Sequence, residues 1–150
     1  MYTLEREQII HTSLEEAWRF LRDPANLNKI TPDDLDFKII SPIPAIMFNG
    51  MIIEYRIKIP FWGIQQWVAE MKHIREFHSF VDEQRIGPYT FWYHYHELIE
   101  VESGVRLIDR VNYEVPWSFA GRLLHIMVIR KILNRIFDYR CEQLERMFNS

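Results

Sequence analysis

Only one cysteine, Cys141, stands in the 150 residues, which excludes an intramolecular disulfide and suits a reducing compartment. Long apolar runs are missing as well. The longest uncharged stretch, Ile39 to Ile53, is broken by Pro42, Pro44 and Gly50 and is too short to span a bilayer. The N-terminal MYTLEREQIIH is charged from its fifth residue and lacks the apolar region of a signal peptide, so a cytoplasmic protein is expected. There is no excess of positive charge. The net charge of −3 offers nucleic acid no broad basic field. Glycine-rich phosphate loops, metal-protease motifs, internal repeats and linkers are also absent. What remains fits a single domain over residues 1–150, large enough to build a core without a disulfide or metal. The aromatic content, 15%, is high, and such side chains either fill a core or line an apolar cavity.

The chain is organised around its last stretch, Ser118 to Phe148, which is free of proline. After Asn134, Ile136, Phe137, Cys141, Leu144, Met147 and Phe148 recur at helical spacing and predict one buried stripe. Within that stripe Cys141 reads as an inert core thiol. Before Asn134, Leu123, Leu124, Ile126, Met127, Val128 and Ile129 cover nearly the whole circumference, with only His125 interrupting. Such a helix needs cover from protein, ligand, partner or lipid on several sides.

Upstream, Tyr2 to Ile10 reads as a strand whose alternation is blurred by Glu5, Arg6 and Glu7. Ser13 with Glu16 forms a capping box, Leu14, Ala17, Trp18 and Leu21 form the buried stripe of a short helix, and Asp23-Pro24 ends it. A second short helical piece is expected over Ala25 to Ile30, then a strand over Leu35 to Ser41. From Met51 the pattern is an antiparallel meander. Ile53, Tyr55, Ile57 and Ile59 alternate with charged residues; Trp67, Ala69 and Met71 follow in the next strand; Phe80 to Ile86 is a shorter one. Tyr89 to Val101 and Val105 to Glu114 make a final hairpin. The order is β-α-α-β₆-α.

In the last strand Val105, Leu107, Asp109, Val111 and Tyr113 share one face, where Asp109 is a misfit among apolar neighbours. A two-residue turn at Ser103-Gly104 pairs Glu102 with Val105, Leu98 with Asp109, His96 with Val111 and His94 with Tyr113. Trp92, His94 and His96 then point inward, with Asp109 diagonal to His96. Loops of a meander alternate between ends, so Phe61-Trp62, Gly87-Pro88-Tyr89 and Trp117-Phe119 gather beside the start of the last helix as an apolar mouth.

The segment GPYTFWYHYHELIEVESGVRLIDRVNYEVPWSFAGRLL resembles the C-terminal half of ligand-binding members of the START-related helix-grip superfamily (SRPBCC), in its polyketide cyclase/dehydrase-like branch. Asn26-Leu27 with Ile30-Thr31-Pro32, Trp67, Phe80-x-Asp82-x-Gln84 and Ile136-Phe137-Asp138-Tyr139-Arg140 agree with it. The resemblance implies an α+β helix-grip fold: a seven-stranded antiparallel sheet curved around a long C-terminal helix, with two short helices after strand 1. It also implies a cavity for a small apolar or amphipathic molecule, but no particular activity.

Ile57, Trp67, Met71, Trp92, Leu123 and Met127 are the expected apolar contacts of such a ligand. His94, His96, Asp109, Gln84 and Tyr113 would meet its polar end. A second reading is a cyclase, dehydratase or isomerase in which His94 or His96 beside Asp109 acts as a base and Tyr55, Tyr113 or Gln84 donates to a developing enolate. His94 and His96, two apart on a strand, could ligate a metal with Asp109 as third ligand. No other His, Cys or carboxylate spacing supports this, so neither a metal nor another cofactor is expected. A third reading uses Arg122, Arg130, Lys131 and Arg135, which flank the apolar helix start. It is a partner-docking or transient membrane contact without stable insertion, and dimerisation through that surface is compatible with a pocket. Against it, charged residues beside a core helix are ordinarily its solvated edge, and Trp62 and Trp117 read equally as hairpin-end packing.

Overall fold

Tyr2–Ile10 forms β1 in the computed structural model, which describes residues 1–116 and 118–150, with the side chains of 118 and 119 outside that description. Helix α1, Leu14–Leu21, follows. The Ser13 Oγ accepts from the Glu16 N–H at 3.2 Å, a cap of the kind that contributes about 1 kcal/mol, while the Glu16 carboxylate reaches Thr12. 3₁₀ segments run over Pro24–Lys29, two turns, and Asp33–Leu35, one turn. The latter, ending at Asp36 with φ of 43°, consumes the start of the expected strand, so β2 is only Lys38–Ile39. Strands β3 (Ile52–Ile59), β4 (Gly63–Arg75), β5 (Ser79–Ile86), β6 (Phe91–Val101) and β7 (Gly104–Glu114) complete the meander.

These strands form one seven-stranded antiparallel sheet in the order β1-β7-β6-β5-β4-β3-β2. The last helix packs against its inner face, and the architecture is the expected α+β helix-grip fold. Helix α2 (Ser118–Leu124) passes through a π-helical segment, His125–Ile129, into α3 (Arg130–Phe148) without leaving helical backbone. Among the described residues no helix is long and apolar enough to cross a membrane.

The hairpin register differs from the expected one by two residues. Val101 pairs with Gly104, so the turn is Glu102-Ser103, and His96 lies directly opposite Asp109. A slip of two preserves every facing, which is why the inward side was read correctly from the wrong turn. Gly104 opens β7 at φ of 142°, where a Cβ would collide with the Ile10 carbonyl oxygen. The glycine therefore serves both the contact with β1 and the positive φ at the exit of the turn.

The core gathers Ile10, Leu35, Met51, Ile53, Leu98, Val105 and Val111 from the sheet side and Ile129, Leu133, Phe137 and Leu144 from the helix. Arg6 and Gln8 take helix-facing positions in β1. Arg6 donates to Asn134 Oδ1 at 2.8 Å and Asp138 Oδ1 at 3.0 Å, and Gln8 donates to the Cys141 carbonyl at 3.0 Å. The polar residues that blurred this strand's alternation thus tie it to α3.

Candidate functional site

Strand register assembles the polar centre. Asp82 on β5 stands opposite His94 on β6, and His96 on β6 stands opposite Asp109 on β7. All four face inward, with the carboxylates at diagonal corners. Each carboxylate therefore reaches both rings. Asp82 Oδ2 lies 3.2 Å from His94 Nδ1 and 2.6 Å from His96 Nε2. Asp109 Oδ1 lies 2.8 Å from His94 Nε2 and 3.1 Å from His96 Nδ1. The two imidazoles lie 3.7 Å apart between centroids, their planes tilted by 32°. Phe80 stacks on His96 at 4.2 Å, and Phe137 from α3 meets His94 edge-on at 5.4 Å. The Arg140 guanidinium lies over the Phe137 ring and 3.7 Å from Asp109 Oδ1.

Burial pushes both carboxyls upward, but the histidines beside them outweigh it. Asp82 is held far below the ordinary carboxylate range by the charge and hydrogen bonds of His94 and His96, and Asp109 by hydrogen bonds from the same rings. Burial also works against protonation of His96, yet its bonds to Asp109 and Asp82 raise its pKa above the ordinary value. Burial, then the charge of Asp82, raises the Tyr55 hydroxyl pKa well above its usual value, so Tyr55 remains a neutral donor.

Above this centre a cavity of about 140 Å³ opens between the sheet, α3 and the segment that follows α1. Tyr55, Ile57, Trp67, Met71, Trp92, His94 and His96, all expected at the site, line it. Tyr55 and Trp67 stack at 5.7 Å, and Trp92 meets Trp67 edge-on at 5.0 Å. The Trp67 Nε1–H is buried without a partner.

Other expected residues lie elsewhere. Leu123 and Met127 are 53% and 60% exposed, and the cavity wall is supplied instead by the later residues Ile132, Leu133, Ile136 and Phe137. The reason is helical phase. His125, Ile129, Leu133 and Phe137 recur every fourth residue along the buried face, and the wide π turn puts polar His125 inside and its apolar neighbours outside. Tyr113 is committed to His125, 2.6 Å from its Nε2, and does not reach the cavity. Burial pushes the Tyr113 hydroxyl up to about 12 and the His125 ring down. Gln84 braces the Gly87-Pro88-Tyr89 turn, donating to the Tyr89 carbonyl at 2.7 Å and accepting from the Tyr89 N–H at 3.2 Å. Asp109 sits behind the histidines, off the cavity wall.

Of the expected mouth, Tyr89 lines the cavity, Trp62 packs edge-on against it, and Phe61 is in solvent. Trp117 and the Phe119 ring lie outside the described residues. Cys141 is half-buried, its thiol pKa raised first by burial and then by the charge of Asp109.

Asp82 is the residue that sequence reasoning missed as part of the site. It is a carboxylate on the inward face of β5, between buried Phe80 and half-buried Gln84, and so the same kind of misfit that singled out Asp109.

No family model and no curated protein matches the chain. Solved structures do. Protein CV1439 from Chromobacterium violaceum is 12% identical with a TM-score of 0.74, covering 100% of this chain and 99% of its own. TTHA0849 from Thermus thermophilus is 14% identical with a TM-score of 0.69, covering 97% and 95%. StfQ, a di-domain ARO/CYC protein of the steffimycin biosynthetic pathway, is 11% identical with a TM-score of 0.72, covering 98% of this chain and 50% of its own. At these identities the likeness is one of fold: a curved seven-stranded sheet gripping a long C-terminal helix.

Proposed function

We propose that this is a single-domain, cytoplasmic member of the START-related helix-grip superfamily, polyketide cyclase/dehydrase-like branch, that binds and carries a small apolar molecule with one polar end. The carrying observation is the asymmetry of the cavity. Ile53, Ile57, Trp67, Met71 and Trp92 offer apolar wall, while Asp82, His94, His96 and Arg140 form a polar cluster; the other polar liners Asp23, Asn26 and Thr31 are bonded to nearby backbone. Apolar walls supply affinity and a few placed polar groups supply orientation. A cavity of about 140 Å³ matches the size class that takes up a benzene-sized group, so the enclosed part of the ligand is a ring or branched unit of an isoprenoid or polyketide. A longer chain would have to leave through the opening.

Native mass spectrometry of protein purified from its own host tests this, together with uptake of 1-N-phenylnaphthylamine followed by fluorescence. The expected result is a co-purifying small molecule, and probe binding that Ile57→Trp abolishes by filling the cavity. Empty preparations with equal probe binding by both proteins would overturn the reading.

A second reading is favoured by one contact. His96 on the cavity wall lies 2.6 Å from Asp82, with Tyr55 as a neutral donor nearby, an arrangement suited to moving a proton on an enolisable ligand. Turnover of the recovered molecule by the wild type, lost in His96→Ala with binding kept, would establish it. Binding without turnover in both leaves a carrier.

A further inference from the structure

The four-membered cluster poses a problem of hydrogen-bond direction. A carboxylate oxygen only accepts, so a ring nitrogen facing one must carry a proton or share a cation with it. Behind the cavity, His94 Nε2 and His96 Nδ1 converge on the same oxygen, Asp109 Oδ1, at 2.8 and 3.1 Å. If each ring gives its one proton to that oxygen, both remain neutral, with opposite tautomers. The lone pairs of His94 Nδ1 and His96 Nε2 then face Asp82 Oδ2 at 3.2 and 2.6 Å on the cavity side. Three acceptors point at one another with nothing positive between them. A proton on His96 relieves the 2.6 Å contact alone, and a second on His94 stacks two imidazolium charges 3.7 Å apart. One cation resolves it without that repulsion.

We propose that Asp82, His94 and His96 hold a divalent first-row transition ion, of the zinc or ferrous type, at the polar end of the cavity. Two imidazoles and one carboxylate select such ions over magnesium or calcium, and three protein ligands leave coordination positions open. The three donor atoms lie within 4.8 Å of one another. Bonds of about 2.0–2.2 Å need donors roughly 3–3.5 Å apart, so Asp82 Oδ2 withdraws from His96 by about 0.5–1 Å on loading. Asp109 then acts as the outer carboxylate that fixes both ring tautomers, with Arg140 beside it. Trp92 Nε1, 3.4 Å from Asp82 Oδ1, steadies the third ligand.

The open positions face the cavity, so the site deepens the binding reading given above: the ligand's polar end would be an oxygen donor such as a carboxylate, enolate or catechol. Metal binding itself needs no such ligand and is tested separately.

Untagged protein stripped with EDTA is titrated with Co²⁺ alone and then with Zn²⁺. The expected result is one equivalent of bound cobalt with visible d–d absorption, displaced by zinc. Asp109→Asn should weaken binding about 10–100-fold, and Asp82→Asn by more. Because either variant could misfold, the wild-type cobalt protein supplies a second readout by proton NMR. Two hyperfine-shifted imidazole N–H signals, present in H₂O and lost in D₂O, are expected from the protons held by Asp109. Absence of bound cobalt, or cobalt bound equally by folded Asp82→Asn protein, would overturn the site. A protein that takes cobalt but no apolar probe keeps the metal site and removes the cavity reading; the converse removes the metal site alone.

Discussion

Replacing Asp82 with asparagine keeps the side chain's shape and removes its charge. In metal-free protein Asp82 Oδ2 lies 2.6 Å from His96 Nε2, as a hydrogen-bond partner, and 3.2 Å from His94 Nδ1, inside a site where all four partners are largely buried. Hydrogen bonds to charged groups contribute roughly 1.5–3 kcal/mol each. His96 loses one of the two bonds that raise its pKa once the anion is gone and so sheds its proton more easily, which offsets part of the loss, and the expected cost is about 2–4 kcal/mol. For a chain of this size that lowers Tm by roughly 5–15 °C. The pH dependence carries the sharper signature. Asp82 and Asp109 have depressed folded pKa values, so their stabilisation is fully present above the ordinary carboxyl value of 3.8 and falls away as pH drops below it. The His96 pKa is raised, so its contribution is present below 6.5 and is lost as pH climbs through its folded value. Thermal unfolding followed by circular dichroism in EDTA from pH 3 to 9 should show a plateau between those limbs in the wild type and a lower, flatter curve in Asp82→Asn. Curves that coincide within about 0.5 kcal/mol, or differ by a constant at every pH, would show that Asp82 carries no such charge-dependent stabilisation.

Leu144→Ala should cost about 2–5 kcal/mol in urea unfolding without touching the cavity, because Leu144 is fully buried on α3 and off the cavity wall. Gly104→Ala should cost at least ~2 kcal/mol in the same assay, since the added Cβ meets the Ile10 carbonyl at a φ no alanine favours. Leu123→Ser with Met127→Ser should change stability by less than about 1 kcal/mol and leave phenylnaphthylamine uptake unchanged, because both side chains face solvent.

The fold was readable because its periodicities are strong. Ile53, Tyr55, Ile57 and Ile59 alternate cleanly, and the β6–β7 pair carries inward residues on both strands. Three of the four residues of the polar centre were readable for the same reason: Asp109 stands out on an apolar face, and parity alone aims His94 and His96 the same way. Asp82 was not, because the β5–β6 ladder stops at Glu83 and Tyr93, short of the connection, so counting from the turn did not place Asp82 opposite His94. The last helix misled for a different reason. A stretch apolar all round has no phase of its own, and the π turn that sets the phase is a tertiary effect of the Tyr113–His125 contact and the Tyr2 ring stacked 3.5 Å from His125. Tyr113 and Gln84 looked like cavity donors because only coordinates reveal that each is already bonded to a neighbour.

The most direct test of the account is where an apolar probe sits. Isotope-filtered NOE spectra of the protein with 2-naphthoic acid should connect the naphthalene protons to the Ile53, Ile57 and Met71 methyl groups on the cavity wall, and Ile57→Trp should erase those contacts. A probe whose only contacts are with Leu123, Ile126 and Met127 on the outer face of the helix would contradict it.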